Sequence, residues 1–253
     1  MAKAMGATKT SGGKMMQYNL ANFNGYGLAA DPPEAKAIPR KQEVKSKLSS
    51  PGVKSIKIRY GPYKIPSSKT PNFLGQPGML NNYPHVNFEK PCSGNCTIIG
   101  MRQDLEYPNG TIANIDSGLW LHHSVIFAIG EGRYDASCMQ YDVSLPHVSV
   151  NTTAFQSERI FSNGNERTDA VFPDRGTKDV GYRIRPSDTF AALIELMNEN
   201  PRDERLYFTM VWDILDGHPL PCEPTVVWHD VRNCGTSEAN PPDNQCKKFS
   251  PSS

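Results

Sequence analysis

The segment 118–130, GLWLHHSVIFAIG, is the most apolar in the chain, and glycine bounds it on both sides. Its aromatic and β-branched residues favour a buried strand. A ribbon of this kind needs a second layer to cover it, and the rest of the sequence repeats the same short-strand pattern. In KSIKIRY, Ile56, Ile58 and Tyr60 alternate onto one face before Gly61-Pro62 breaks the run. Residues 96–101 and 110–115 flank Tyr-Pro-Asn-Gly, where Asn109-Gly110 supplies the positive φ of a tight hairpin. Residues 144–150 and 181–185 read as further short strands. For Thr189–Met197 two readings compete. Its Ala, Leu, Glu and Met favour a helix capped at Ser187-Asp188, whereas the plain strand RLYFTMVWDIL that follows favours a hairpin of 189–197 with 205–215. The hairpin is preferred, and the pattern as a whole predicts an all-β antiparallel sandwich.

Composition agrees with strands and turns: the 253 residues include 20 Gly and 21 Pro. Lys plus Arg number 27 and Asp plus Glu 26, a net charge of +1 that provides no general attraction to nucleic acid. No run of 18 apolar residues occurs, so no membrane span is expected. Residues 1–52 are rich in Lys, Ala, Gly and Pro without sustained period, which predicts a disordered flank. The sandwich domain is expected over 53–235, with a polar, Pro-rich tail over 236–253. The Pro-interrupted stretch 66–91 is too long for an ordinary connection and is expected to be a binding loop.

Six cysteines and three Asn-x-Ser/Thr sequons, at Asn95, Asn109 and Asn151, point to an oxidising, glycosylating route and an extracellular protein. Residues 1–16 contain no apolar run of signal-peptide type. Six thiols allow about 15 pairings. The expectation is that Cys92, Cys96, Cys138 and Cys234 staple the sandwich, with Cys222 and Cys246 peripheral. Cys92-x3-Cys96 has no partner pair at zinc-ligand spacing.

Of the six histidines, at 85, 122, 123, 147, 218 and 229, two adjacent ones lie inside the most apolar strand. A buried imidazole must find a hydrogen bond or a metal, and copper or zinc meets that demand. Strand geometry sets a condition. Successive side chains point to opposite faces, so regular alternation groups Trp120, His122 and Ser124 on one side and Leu121, His123 and Val125 on the other. Both imidazoles reach one ion only where the strand twists, bulges or lies at an edge. The alternative is one core histidine bonded to a backbone carbonyl and one partly solvated.

The run Leu121-His122-His123-Ser124-Val125-Ile126-Phe127 resembles the His-His strand of the copper type II ascorbate-dependent monooxygenases. More closely, PCSGNCTIIG, GLWLHH, FSNGNERT at 161–168 and VWHDVRNCGTSE are similar to secreted fungal proteins related to plant stress-up-regulated nodulins. The resemblance covers residues 55–238. It implies a jelly-roll sandwich that binds one copper ion through His122 and His123. The family's third histidine follows a Tyr-Phe strand; in LYFTMVWD its place falls on Asp213, and His218 is the nearest histidine beyond it. Ser124 stands where the family has Met. The family's second copper site, with a His-x-His motif, has no counterpart after Cys234. The resemblance therefore implies half of a monooxygenase, inactive alone, whose copper serves electron transfer or structure.

Other signatures lack context. Gly130-Glu-Gly132 has no third glycine or following helix, and no Gly-x-Ser-x-Gly or His-Glu-x-x-His occurs. Glu195, Asp213, Asp216 and Asp230 lie near aromatics, but nothing in the sequence fixes a glycosidase-like separation. The competing functional readings are a non-catalytic extracellular sandwich that binds a glycan or protein through the 66–91 loop, and a truncated gene product. A small molecule, glycan or protein is the expected partner.

Overall fold

The structure is a computed structural model that describes residues 7–8, 17–18, 23–139, 144–172, 179–228 and 234. Its strands are β1 (Ala7–Thr8), β2 (Gln17–Tyr18), β3 (Gly27–Leu28), β4 (Lys41–Val44), β5 (Lys54–Ile65), β6 (Met79–Phe88), β7 (Cys96–Glu106), β8 (Leu119–Ile129), β9 (Ser157–Gly164), β10 (Ala170–Val171), β11 (Tyr182–Ile184), β12 (Thr189–Asn198) and β13 (Glu204–Asp216). Among the described residues one short α-helix, α1 (Leu145–Ser149), lies between β8 and β9. Apart from the β1–β2 ribbon, two antiparallel sheets carry the fold. One runs β10-β7-β13-β5-β3, with β11 also on β7 and β4 on β5; the other runs β6-β12-β8-β9. The all-β antiparallel sandwich expected from the sequence is what forms.

Period-two alternation drives the core. Ile58, Tyr60, Ile98, Met101, Phe208, Met210, Trp212 and Ile214 face inward from the larger sheet; Leu121, Ile126, Phe190, Ala192, Ile194 and Leu196 face them from the smaller. Trp212 is fully buried, and its indole Nε1 donates to the Tyr60 hydroxyl at 3.2 Å, so the largest core side chain leaves no polar atom unpaired.

Several expectations need correction. Residues 27–44 are not a disordered flank. Lys41–Val44 pairs with Ser55–Ile58, Gly27–Leu28 with Tyr63–Lys64, and Phe23 enters the core. Short edge strands bury few residues and carry charge on the solvent side, so their composition looks like a linker. The stretch 66–91 is not one long loop, because β6 occupies 79–88 of it as an edge strand, where Pro84 removes no inter-strand bond that the sheet needs. Residues 144–150 hold not a strand but α1, Leu145–Ser149 with its two caps and a proline in its first turn. Thr189–Asn198 and Glu204–Asp216 are both strands but do not pair: β12 lies between β6 and β8, and β13 between β5 and β7. The link is an arch between sheets, held by Asn198 Nδ2 donating to Pro66 O at 3.1 Å and Arg202 O at 2.8 Å. The Asn109-Gly110 turn forms, with Gly110 at φ 84, but its second arm reaches only the Glu106–Ile112 bridge before the chain leaves for β8.

Cys92, Cys96, Cys138 and Cys234 are the bridging cysteines, as expected, and the structure pairs them as Cys92–Cys96 and Cys138–Cys234; Cys222 is free and exposed. Cys246 and the tail 236–253 lie outside the described residues. Among the described residues no helix is long and apolar enough to cross a membrane.

Candidate metal centre

The smaller sheet turns its outer face away from the core. On β12, Ala191, Leu193 and Glu195 point outward between the inward Phe190, Ala192, Ile194 and Leu196. At one end this face is apolar, where Val150 packs on Phe127, Ala191 and Leu193. At the other end stand the two histidines.

Strand β8 reaches that arrangement by changing phase. Leu119 and Leu121 face the core, and so do Ile126 and Ala128, which an unbroken alternation forbids. The change occurs at His122. The pairing passes from Leu196 opposite Leu121 to Glu195 opposite His123, so three residues of β8 span two of β12. His122 is the extra residue of a β-bulge. As a result both imidazoles stand on the outer side with Trp120 and Val125, and Ser124 turns inward, where its hydroxyl donates to Gln103 Oε1 at 2.6 Å. The condition set by the sequence, a bulge at the pair, is met.

The imidazoles converge. His122 Nδ1 and His123 Nδ1 lie 3.3 Å apart, His122 Nδ1 lies 3.2 Å from Glu195 Oε1, and His123 Nε2 lies 3.3 Å from Glu195 Oε2. Burial, and then the neighbouring His122, push His123 down to about 4, so its ring is neutral near pH 7 and offers a lone pair. Burial pushes the Glu195 carboxyl up to about 7, partly offset by a hydrogen bond from the Asn82 backbone N–H. Glu195 Oε2 is buried without a hydrogen-bond partner among the described residues. A buried carboxylate oxygen left this way costs about 1–3 kcal/mol or more, a cost that a cation at the site removes.

These donors fit a metal. Two bonds of about 2.0 Å at a tetrahedral angle span about 3.3 Å, the separation of the two Nδ1 atoms. His122, His123 and Glu195 each present a ligand-type atom, all within 4.8 Å of one another. Imidazole nitrogens with one carboxylate suit copper, zinc or iron.

The other two residues singled out from the sequence lie elsewhere. Asp213 is on the far face of the opposite sheet, where Arg102 Nη1 donates to it at 2.6 Å and the Ser55 hydroxyl donates as well. His218 Nε2 lies 3.0 Å from Ile184 O, beside the larger sheet. Glu195, which sequence reasoning left among unspecific acids, takes the third place. Its signal was the alternation of TFAALIELMN, which sets Glu195 opposite the core residues on the strand paired with the histidines.

Asp135, Cys138 and His147 form a second cluster of ligand-type groups. It is already satisfied. Cys138 is bonded to Cys234, Asp135 Oδ2 receives Arg159 Nε and lies 3.1 Å from His147 Nε2, and His147 Nδ1 lies 2.7 Å from the Ser157 hydroxyl. The whole set is buried, and it acts as a polar brace under α1.

The chain is similar to two fungal proteins named as probable copper-dependent oxygenases. It is 30% identical over 194 residues to the probable copper-dependent oxygenase M1 of a Phoma species, which covers 76% of this chain and 44% of that protein. It is also 30% identical over 150 residues to the probable copper-dependent oxygenase clz3 of Cochliobolus lunatus, covering 59% of this chain and 44% of that protein. The chain thus spans less than half the length of the curated relatives it matches. No family model matches it, and no solved structure matches it.

Proposed function

We propose that this chain is a copper-oxygenase-like sandwich that holds one copper ion through His122 Nδ1, His123 Nδ1 and the Glu195 carboxylate. The observation that carries the reading is the bulge at His122, which turns two consecutive imidazoles onto one side of a strand beside a buried, unpartnered carboxylate oxygen. The named activity of the two relatives favours copper among the metals that these donors accept. Copper bound there supplies one-electron redox chemistry.

The chain's own residues divide the work. Exposed His122 leaves the site open to a substrate or partner on one side. Half-buried His123 is anchored from behind, and buried Glu195 supplies the negative charge. A single centre of this kind suits electron transfer or a structural role, and complete hydroxylation requires an oxygen-activating site in addition. Two disulfides support folding in an oxidising compartment, and hence an extracellular protein. The three sequon asparagines, Asn95, Asn109 and Asn151, are all exposed and so accessible to glycosylation there.

Copper titration with metal analysis of the wild type and of His122→Ala/His123→Ala tests the reading. One equivalent bound by the wild type and none by the variant is expected. Equal uptake by both overturns it and returns the non-catalytic glycan- or protein-binding sandwich to first place.

A further inference from the structure

Glu195 sits between two bulges. On one side is His122 of β8. On the other the pairing of β12 with β6 jumps from Ile194 opposite Tyr83 to Leu196 opposite Leu80, so four residues of β6 span three of β12 and the Asn81-Asn82 pair faces Glu195 alone. Asn82 is in the left-handed region at φ 44, which asparagine tolerates better than most side chains. In this conformation one residue makes two contacts with the site. Its backbone N–H donates to Glu195, and its side-chain Oδ1 lies 2.8 Å from His123 Nε2. The orientation of the amide is fixed from its other end, because Asn82 Nδ2 donates to Asn81 Oδ1 at 3.2 Å.

An amide oxygen only accepts, so His123 Nε2 must carry the proton and donate it. A neutral imidazole has one such proton, which leaves Nδ1 with its lone pair, and that is the atom 3.3 Å from His122 Nδ1. We infer that Asn82 is a positioning residue that fixes the tautomer of His123, turning its Nδ1 lone pair toward the metal centre while its backbone steadies Glu195. This inference rests on the copper reading above. Partners of this kind behind a ligating histidine typically govern about 10–100-fold of metal affinity.

The test separates side chain from backbone. Asn82→Gly accepts the left-handed conformation and keeps the N–H, but removes the acceptor. Asn82→Asp keeps an acceptor oxygen. In metal-free protein near pH 7.5, imidazole ¹⁵N NMR is expected to show His123 protonated at Nε2 in the wild type and in Asn82→Asp, and a mixture of tautomers in Asn82→Gly. Cu(II) affinity measured by competition is expected to fall about tenfold or more in Asn82→Gly and to be largely restored in Asn82→Asp, with the Cu(II) EPR spectrum changing only in the glycine variant. Protonation of wild-type His123 at Nδ1, or an Asn82→Gly affinity equal to that of the wild type, overturns the inference. A wild type that takes up no Cu(II) sinks the copper reading instead, and the tautomer comparison then decides the role of Asn82 alone.

Discussion

Arg102 grips the Asp213 carboxylate at both ends, Nη1 to Oδ2 at 2.6 Å and Nη2 to Oδ1 at 3.1 Å. Room for this pair comes from Gly100 on the neighbouring strand, where a Cβ would stand 2.7 Å from Asp213 Oδ2. Both side chains are buried, so removing one partner strands the other charge away from water. Asp213→Ala is expected to lower stability by about 3–5 kcal/mol, read from the urea midpoint. Copper uptake per folded chain should be unchanged. A loss of copper binding in the folded variant would return Asp213 to the metal centre.

The two disulfides differ in the length of chain that they close. Cys138–Cys234 spans a sequence separation of 96 and Cys92–Cys96 one of 4. By loop entropy, closing about 100 residues is worth about 4.7 kcal/mol, and a loop of about five residues roughly 2 kcal/mol. Replacing both cysteines by serine should therefore destabilise the 138–234 pair's variant more. Equal losses in thermal unfolding would mean that the long loop is already constrained in the unfolded chain.

His85 provides a pH dependence away from the metal centre. Tyr63 OH lies 2.6 Å from its Nδ1, and burial, then the charge of Arg40, lower its pKa from 6.5 to about 4. Above pH 6.5 the ring is neutral whether the chain is folded or not. Below it the unfolded chain takes up a proton that the folded site refuses, so stability falls as pH drops from 6.5 toward 4, by roughly 1–3 kcal/mol. His85→Phe should lose one proton's worth of that slope while His123 and His147, shifted the same way, keep theirs. A slope identical to the wild type in denaturant titrations from pH 4 to 7.5 would remove the assignment.

Much of the sandwich was legible because its central strands are long and alternate cleanly: Ile56, Ile58 and Tyr60 on β5, and the apolar runs of β8 and β13. The edges were not. Strand β6 reads MLNNYPHVNF, and its asparagines and proline are the signature of a loop unless a partner strand is known. Yet that strand brings Asn82 to the histidines. The phase of β8 carried its own clue, since Leu119 and Leu121 cannot share a face with Ile126 and Ala128 unless one residue between them is extra. What no local pattern contained was the pairing of β8 with β12, which depends on the arch at 199–203 and sets Glu195 beside the imidazoles. Position within the chain put Asp213 and His218 forward instead; the register across the sheet chose Glu195.

Glu195 is where stability and metal binding oppose each other. Burial raises its folded-state pKa from 4.5 to about 7, with only the Asn82 backbone N–H acting against it. In the metal-free protein the folded state therefore holds a proton that the unfolded state releases between pH 4.5 and 7, and stability falls as pH rises through that window, by about 2–3 kcal/mol. Glu195→Gln has no proton to lose. Metal-free Glu195→Gln should be more stable than the metal-free wild type at pH 8 by about that amount, with the difference vanishing near pH 4.5. With copper present the order should reverse, because the variant offers a neutral amide where the wild type offers a carboxylate, and stabilisation by the ion scales with affinity. Unfolding curves at pH 4.5 and 8, with and without Cu(II), read both effects. A variant that gains no stability at pH 8 without copper would mean that the Glu195 carboxylate is not held uncompensated in the fold, and the strongest argument for a cation beside it would go.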